Sequence, residues 1–156
     1  MARDILIVDD EADIRMLIGG ILSDEGYQTR AAGDAASALA ARRARQPNLV
    51  ILDVWLEGSE YDGIDLLKVL REEHPLVPVV MISGHGNIET AVAAIQEGAY
   101  DFIEKPFKAD RLLLVVERAI EAAQLRRENA ELRLRAGGQG ELIGISPAIN
   151  AVRQAI

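Results

Sequence analysis

The sequence contains no cysteine, and this absence removes two kinds of structure at once. No disulfide bond can form, and no metal ion can be held by thiolate ligands. A buried core must therefore hold the fold together, and any metal site must use oxygen or nitrogen ligands. A chain without cysteine suits a reducing compartment, and we expect a cytoplasmic protein.

Long apolar runs are missing as well. No run approaches the roughly 18 residues that a membrane-spanning helix requires, and the first residues, MARDILIVDDE, lack the apolar centre of a signal peptide. Basic residues are outnumbered, with 17 Lys and Arg against 25 Asp and Glu. The resulting net charge of −8 opposes broad contact with the phosphate backbone of nucleic acids. We expect a globular domain with no membrane segment.

Five short apolar segments alternate with amphipathic segments of helical period. The predicted strands are 5–8, 27–31, 49–52, 77–82 and 100–103, and the predicted helices are 12–24, 34–45, 63–73 and 87–97. Residues 49–52 and 79–82 are apolar at every position, which is typical of parallel strands covered on both faces. Asp34 suits a helix N-cap. The alternation predicts an α/β fold with a doubly wound, five-stranded parallel sheet.

A last helix is predicted at 109–136, with Gly137, Gly138 and Gly140 ending it. We assign 1–122 to a domain, 123–138 to a helical linker, and 139–156 to a fragment too short for its own core. The apolar residues of the first half are expected to pack on the domain: Leu112, Leu113, Val115, Val116, Ala119 and Ile120.

The second half of this helix carries a heptad-like seam that predicts a homodimer. Its members are Val115, Ala122, Asn129 and Ala136 at one heptad position, with Leu125 and Leu132 at the other. The alternative is an amphipathic linker that is helical only when a further domain holds it.

Polar side chains follow four strands at one edge of the predicted sheet. They are Asp9 and Asp10 after the first strand, Asp53 at the third, Ser83 at the fourth and Lys105 after the fifth. Because the carboxyl ends of parallel strands form the ligand crevice, we expect these side chains to converge. Clustered carboxylates repel one another unless a cation is present, and Mg²⁺ prefers such oxygen ligands. The set predicts phosphoryl transfer to Asp53 as nucleophile, with Ser83 as hydroxyl donor and Lys105 as positive charge.

Each of these residues also has a structural explanation when taken alone. Asp-Asp-Glu can simply open a helix, while Asp53 and Ser83 can belong to turns. Lys105-Pro106 can mark the end of a strand. The coincidence of four placements at one edge of one sheet favours the functional interpretation.

Five motifs, in this order and spacing, resemble those of bacterial response-regulator receiver domains over residues 3–122: ILIVDDE, LVILD, DGIDLL, MISGHG and EGAYDFIEKPF. The resemblance implies a flavodoxin-like sheet with strand order 2-1-3-4-5. It implies Mg²⁺ bound by Asp9, Asp10, Asp53 and the backbone carbonyl of Trp55, and phosphorylation of Asp53 by a partner histidine kinase.

The same resemblance assigns a conformational switch to Ser83 and Phe102, and the family's lysine to Lys105. It also implies a cis peptide bond between Lys105 and Pro106. The loop after Asp53, VWLEGSEYDG, is longer than the usual family pattern and lacks its proline. That loop, with DFIEKPF, resembles the NtrX group of nitrogen-related regulators.

Beyond the linker, ELIGISPAINAVRQAI resembles the opening of the AAA+ domain of sigma-54-dependent activators. We therefore expect a chain truncated at the start of that domain. Contact with DNA and with sigma-54 RNA polymerase is expected only through domains absent from this chain.

Three other functions are weighed against the phospho-acceptor. An aspartyl phosphatase would carry a second Asp two residues after its nucleophile, where this chain has Trp55. A phosphorylation-independent interaction module would not need the intact polar set. A nucleotide-binding flavodoxin-like domain would place glycines or hydroxyls, not Asp-Asp-Glu, after the first strand. We expect a regulatory domain that catalyses only its own phosphorylation and dephosphorylation.

Two remaining features are interpreted as structural or left open. The basic cluster Arg42, Arg43 and Arg45 is predicted to be the solvated face of the second helix. His85 either tunes hydrolysis of the phosphoryl group or lies in a solvated loop.

Overall fold

Strands and helices alternate through the computed structural model, which describes residues 3–54, 63–84 and 88–140, with side chains up to residue 132. The strands are β1 (Asp4–Val8), β2 (Gln28–Ala32), β3 (Leu49–Asp53), β4 (Val79–Ser83) and β5 (Asp101–Glu104). The helices are α1 (Ala12–Asp24), α2 (Ala35–Ala44), α3 (Gly63–Glu73), α4 (Ile88–Gln96) and α5 (Ala109–Gly140).

The strands form one parallel sheet in the order β2-β1-β3-β4-β5. This confirms the predicted doubly wound sheet and its flavodoxin-like strand order. Because the chain runs outward in both directions from β1, the order reverses between β1 and β3. Ligands of such sheets bind at the carboxyl ends of the strands next to this reversal.

Both faces of the sheet are covered, so every residue of β1, β3 and β4 is buried. Successive side chains of a strand point to opposite faces. Ile5 and Ile7 join a core cluster with α1 and α5, whereas Leu6 and Val8 join one with α2, α3 and α4. The uniformly apolar segments of the sequence are thus explained by two cores on either side of one sheet.

Proline sets the start of β4. The strand was predicted from residue 77, but it begins at Val79, because Pro78 has no N–H to donate to a neighbouring strand. The carbonyl of Pro78 still accepts a hydrogen bond from Val50 N at 3.0 Å. At the start of α2, Asp34 accepts a hydrogen bond from Ser37 N at 2.7 Å, which confirms the predicted N-cap.

The first half of α5 packs on the sheet as predicted. Five of its apolar side chains are buried: Leu112, Val115, Val116, Ala119 and Ile120. Leu113 is partly buried and packs against them. Because Val115 belongs to this core, its prediction as a member of an intermolecular seam is wrong.

The glycines near the end of α5 do not stop it. The helix was predicted to end at residue 136 but continues to Gly140. Glycine in a helix costs about 1 kcal/mol relative to alanine, which weakens a helix without forbidding it. One compact unit of the chain ends at Ala123 and a second begins at Gln124. The predicted fragment after residue 140 lies outside the described residues.

Arg42 contradicts the prediction of a solvated basic face. Its side chain is buried and forms a salt bridge with Glu73, which joins α2 to α3. Arg43 and Arg45 are exposed, as predicted. Local periodicity could not identify Arg42, because its partner lies on a different helix of the same face.

Across the residues that the structure describes, no helix is both long and apolar enough to span a membrane.

Candidate functional site

Four carboxylates meet at the carboxyl edge of the sheet. Asp9 and Asp10 follow β1, Glu11 precedes α1, and Asp53 is the last residue of β3. One oxygen from each of the four lies within 4.8 Å of the others. The predicted convergence of Asp9, Asp10 and Asp53 is therefore observed, and Glu11 joins them.

Asp9 is held by hydrogen bonds at its backbone and its side chain. It is completely buried, and its backbone N donates to Ala32 O at 3.1 Å. Its Oδ1 accepts from Glu11 N at 2.8 Å, and its Oδ2 accepts from Lys105 Nζ at 2.9 Å. A buried carboxylate is tolerated when it is paired and hydrogen-bonded in this way.

Lys105 supplies a positive charge to the acidic cluster. Its ammonium donates to Asp9, to Asp53 Oδ2 at 3.1 Å and, more weakly, to Glu11 Oε1 at 3.4 Å. Burial acts to lower the pKa of Lys105, but the hydrogen bond to Asp9 and the charge of Asp53 outweigh it and raise that pKa above its ordinary value. The lysine is therefore charged throughout the neutral range.

Backbone pairing places Lys105 beside Ser83. Lys105 N donates to Ser83 O at 2.9 Å, so the ends of β4 and β5 are joined at the site. Ser83 is buried as the last residue of β4. The peptide bond between Lys105 and Pro106 is cis, as the resemblance implies.

The charges of the cluster do not balance among these residues. Four carboxylates face one ammonium, and repulsion of this kind is relieved by a cation. Carboxylate oxygens at this spacing suit a hard divalent ion such as Mg²⁺, which takes oxygen ligands and retains several waters. The donor set therefore fits the magnesium ion that the sequence predicts.

Phe102 lies apart from the carboxylates. It is half-buried on β5, and with Val92 and Ile95 of α4 it lines an apolar groove of about 460 Å³. Trp55 and His85 lie outside the described residues, so the predicted carbonyl ligand and the suggested role of His85 stay predictions.

Sequence reasoning missed Gly63, the first residue of α3. Its N donates to Val54 O at 2.8 Å, and a Cβ added to it would lie 2.6 Å from Val54 Cα and even closer to the carbonyl oxygen of Asp53. Only glycine fits this approach to the backbone of Asp53 and Val54. The motif DGIDLL includes Gly63, but the motif does not reveal this contact, because Gly63 and Val54 lie on either side of the segment 55–62. Glu11 could have been found as the third acid in a row.

Comparison with known proteins agrees with this geometry. The family model of the response regulator receiver domain matches residues 5–117. The nitrogen assimilation regulatory protein NtrX of Azorhizobium caulinodans is 66% identical over 133 residues, which make up 85% of this chain and 29% of that protein. This chain thus spans less than a third of that curated relative.

Two solved structures are similar over most of this domain. The receiver domain of NtrX from Brucella abortus is 69% identical with a TM-score of 0.74, over 76% of this chain and 98% of that one. The beryllofluoride-activated NtrC4 receiver domain dimer is 37% identical with a TM-score of 0.72, over 77% of this chain and 98% of that one. Since the family model covers well over half of the sequence, the chain belongs to the response regulator receiver domains, a regulatory rather than a catalytic family.

Proposed function

We propose that this chain is the phospho-acceptor of a two-component system, and that Asp53 receives the phosphoryl group of a partner histidine kinase. The observation that carries the proposal is the position of Asp53. It is buried at the end of β3, 3.1 Å from the Lys105 ammonium and beside the carboxylates of Asp9 and Asp10. The name of the Azorhizobium relative supports a role in nitrogen regulation.

The chemistry follows from these residues. A carboxylate oxygen of Asp53 attacks phosphorus and forms an acyl phosphate, while the bond from phosphorus to the donor's imidazole nitrogen breaks. Lys105 offsets the charge on the phosphoryl oxygens, and Ser83 donates a hydrogen bond to one of them. Asp9, Asp10, Asp53 and the Trp55 carbonyl would hold Mg²⁺, which supplies further charge neutralisation when it is bound.

Intact mass spectrometry after incubation with acetyl phosphate and Mg²⁺ tests this function. The wild-type chain is expected to gain one phosphoryl group, and Asp53→Asn and wild type in excess chelator are expected to gain none. Asp65→Asn makes the same chemical change at an exposed position on α3 and should be labelled like wild type. Unchanged labelling of Asp53→Asn, or full labelling in chelator, would refute the proposal.

Phosphorylation then acts on the surface formed by α4, β5 and α5. The phosphoryl group draws the Ser83 hydroxyl inward, and the Phe102 ring moves into the space this movement frees. Two observations support the coupling: the backbone bond from Lys105 to Ser83, and the groove beside Phe102. The phosphoryl group shifts this equilibrium only by its differential affinity for the two states.

Amide spectra recorded with and without beryllofluoride test the switch. Resonances of β5 and α4 are expected to move together with those around Asp53. Changes restricted to the neighbours of Asp53 would contradict the switch while leaving the phospho-acceptor role in place.

The second half of α5 pairs with a second copy of the chain. Leu125 and Leu132 are 59% and 58% exposed, and they are seven residues apart, the spacing of one coiled-coil heptad. Asn129 is also exposed, and a buried Asn in such a seam favours two-stranded pairing. The dimeric NtrC4 receiver domain supports association in this family. In the whole protein, 1–122 would be the receiver, 123–138 the linker and 139–156 the start of an AAA+ domain that acts with sigma-54 RNA polymerase on DNA.

Analytical ultracentrifugation tests the dimer. The full chain is expected to be dimeric at micromolar concentration, whereas a chain ending at Ala123 and the variant Leu125→Glu/Leu132→Glu are expected to be monomeric. Leu114→Glu also places a charge on an exposed leucine of α5, but outside the seam, and should stay dimeric. A monomeric full chain at high micromolar concentration, with and without beryllofluoride, would exclude the linker as a dimerisation element.

A further inference from the structure

We propose that Arg15 is a positioning residue that fixes the peptide plane between Asp9 and Asp10 and so raises the affinity of the site for Mg²⁺. The inference rests on the proposed function. Arg15 lies in the first turn of α1, and its NH1 donates a hydrogen bond of 2.6 Å to the backbone carbonyl of Asp9.

The bond from Arg15 completes the restraint on Asp9. The N–H of that residue is tied to Ala32, and its carboxylate is tied to Glu11 N and Lys105. Its carbonyl oxygen is the remaining polar group, and Arg15 holds it. Each polar group of Asp9 therefore has a partner, and the partners lie after β2, at the start of α1 and after β5.

The same bond controls the direction of Asp10. A peptide bond is planar, so the carbonyl of Asp9 and the N–H of Asp10 move as one unit. When Arg15 holds the carbonyl of Asp9, it therefore also fixes the position of the Asp10 backbone nitrogen. Asp10 lies two residues after the end of β1 at Val8, so this peptide plane links the strand to the ligand-bearing residue.

Gly33 provides the space that the guanidinium occupies. A Cβ at Gly33 would lie 3.2 Å from Arg15 NH1 and 3.7 Å from Arg15 Cζ. Arg15 is thus located by two neighbours, the Asp9 carbonyl on one side and the backbone after β2 on the other. A methyl group at Gly33 would press directly on the atom that donates the hydrogen bond.

The charge of Arg15 and its geometry predict opposite results. A nearby positive charge repels Mg²⁺, so removing the charge alone would tighten binding. Removing a group that orients the metal ligands weakens binding, commonly by 10- to 100-fold. The direction of the change therefore distinguishes a positioning role from a purely electrostatic one.

Calorimetric titration of the full chain with Mg²⁺ alone tests the inference. Arg15→Gln is expected to weaken the affinity for Mg²⁺ about tenfold. Gly33→Ala is expected to weaken it less. The affinity of Arg15→Lys should fall between those of wild type and Arg15→Gln, because a lysine cannot reproduce the planar guanidinium. Arg43→Gln removes a charge from an exposed position in the last turn of α2 and should change affinity less than twofold. In acetyl phosphate assays, the Mg²⁺ concentration for half-maximal phosphorylation of Arg15→Gln should rise while the maximal extent is retained.

The outcomes separate this inference from the function on which it rests. If wild type binds Mg²⁺ and Arg15→Gln binds it equally or more tightly, the positioning role is wrong and the proposed function stands. If wild type fails to bind Mg²⁺ at millimolar concentration, the proposed function itself fails. Should Arg15→Gln not fold, Gly33→Ala still decides, because unchanged affinity in that folded variant would overturn the inference.

Discussion

Gly63→Ala is expected to destabilise the domain by about 4 kcal/mol or more, which is exceptional for a single methyl group. The added carbon would lie 2.6 Å from Val54 Cα and closer still to the Asp53 carbonyl oxygen. Both are backbone atoms, so no rotamer change can relieve the overlap. Either α3 separates from the end of β3 or Asp53 shifts, and under the proposed function both results lower phosphorylation. Chemical denaturation measures the loss.

Gly20→Ala is the matched control for this substitution. Gly20 is exposed on α1, and a Cβ there would meet nothing within 4 Å. Alanine is favoured over glycine in a helix, so this variant should be more stable by about 0.5–1 kcal/mol. If Gly63→Ala behaved like Gly20→Ala, the close approach of α3 to the acceptor backbone would be disproved.

Lys105→Met is expected to destabilise the metal-free domain by about 3 kcal/mol at neutral pH. Asp9 and Asp53 are buried and would both lose the ammonium, and removing one partner of a buried ion pair commonly costs 3–5 kcal/mol. Mg²⁺ bound at the carboxylates would supply the missing positive charge. It should therefore recover more stability in this variant than in wild type.

The effect of pH on this difference follows from the raised pKa of Lys105. The pKa of Lys105 is higher in the folded than in the unfolded chain, so the contribution of the lysine to stability is fully present below the unfolded pKa. It is lost only as pH rises through the folded value. Wild type and Lys105→Met should thus differ by a constant amount between pH 6 and pH 9 and converge in stronger base, as thermal or urea unfolding can measure. Lys108→Met, at an exposed position, should change stability by less than about 0.5 kcal/mol. Equal stability of Lys105→Met and wild type would contradict the pairing.

The sheet could be predicted because its signals are local. Strands that are apolar at every position indicate burial on both faces of the sheet. The alternation of strands with helices indicates that the strands are parallel. The meeting of Asp9, Asp53 and Lys105 follows from topology, since the carboxyl ends of parallel strands share one edge.

Contacts between elements distant in sequence could not be predicted in this way. Arg42 can be buried because it forms a salt bridge with Glu73 of another helix. Nothing in the sequence near either residue indicates that the two are paired. Arg15 carries no sign that it bonds to the carbonyl of Asp9. The glycines that were expected to end α5 lie within it instead. Glycine lowers helix stability by only about 1 kcal/mol relative to alanine, so its presence does not by itself predict where a helix ends.

The hydrogen bond between Gly63 N and Val54 O ties together the two ends of the segment 55–62. Once the ends are anchored, the entropy of closing the connection grows only with the logarithm of its length, at about 0.6 kcal/mol for each doubling. Additional residues there impose little force on β3 or α3. The hydrogen bond therefore fixes the start of α3 against the carboxyl end of β3 independently of the number of residues between them.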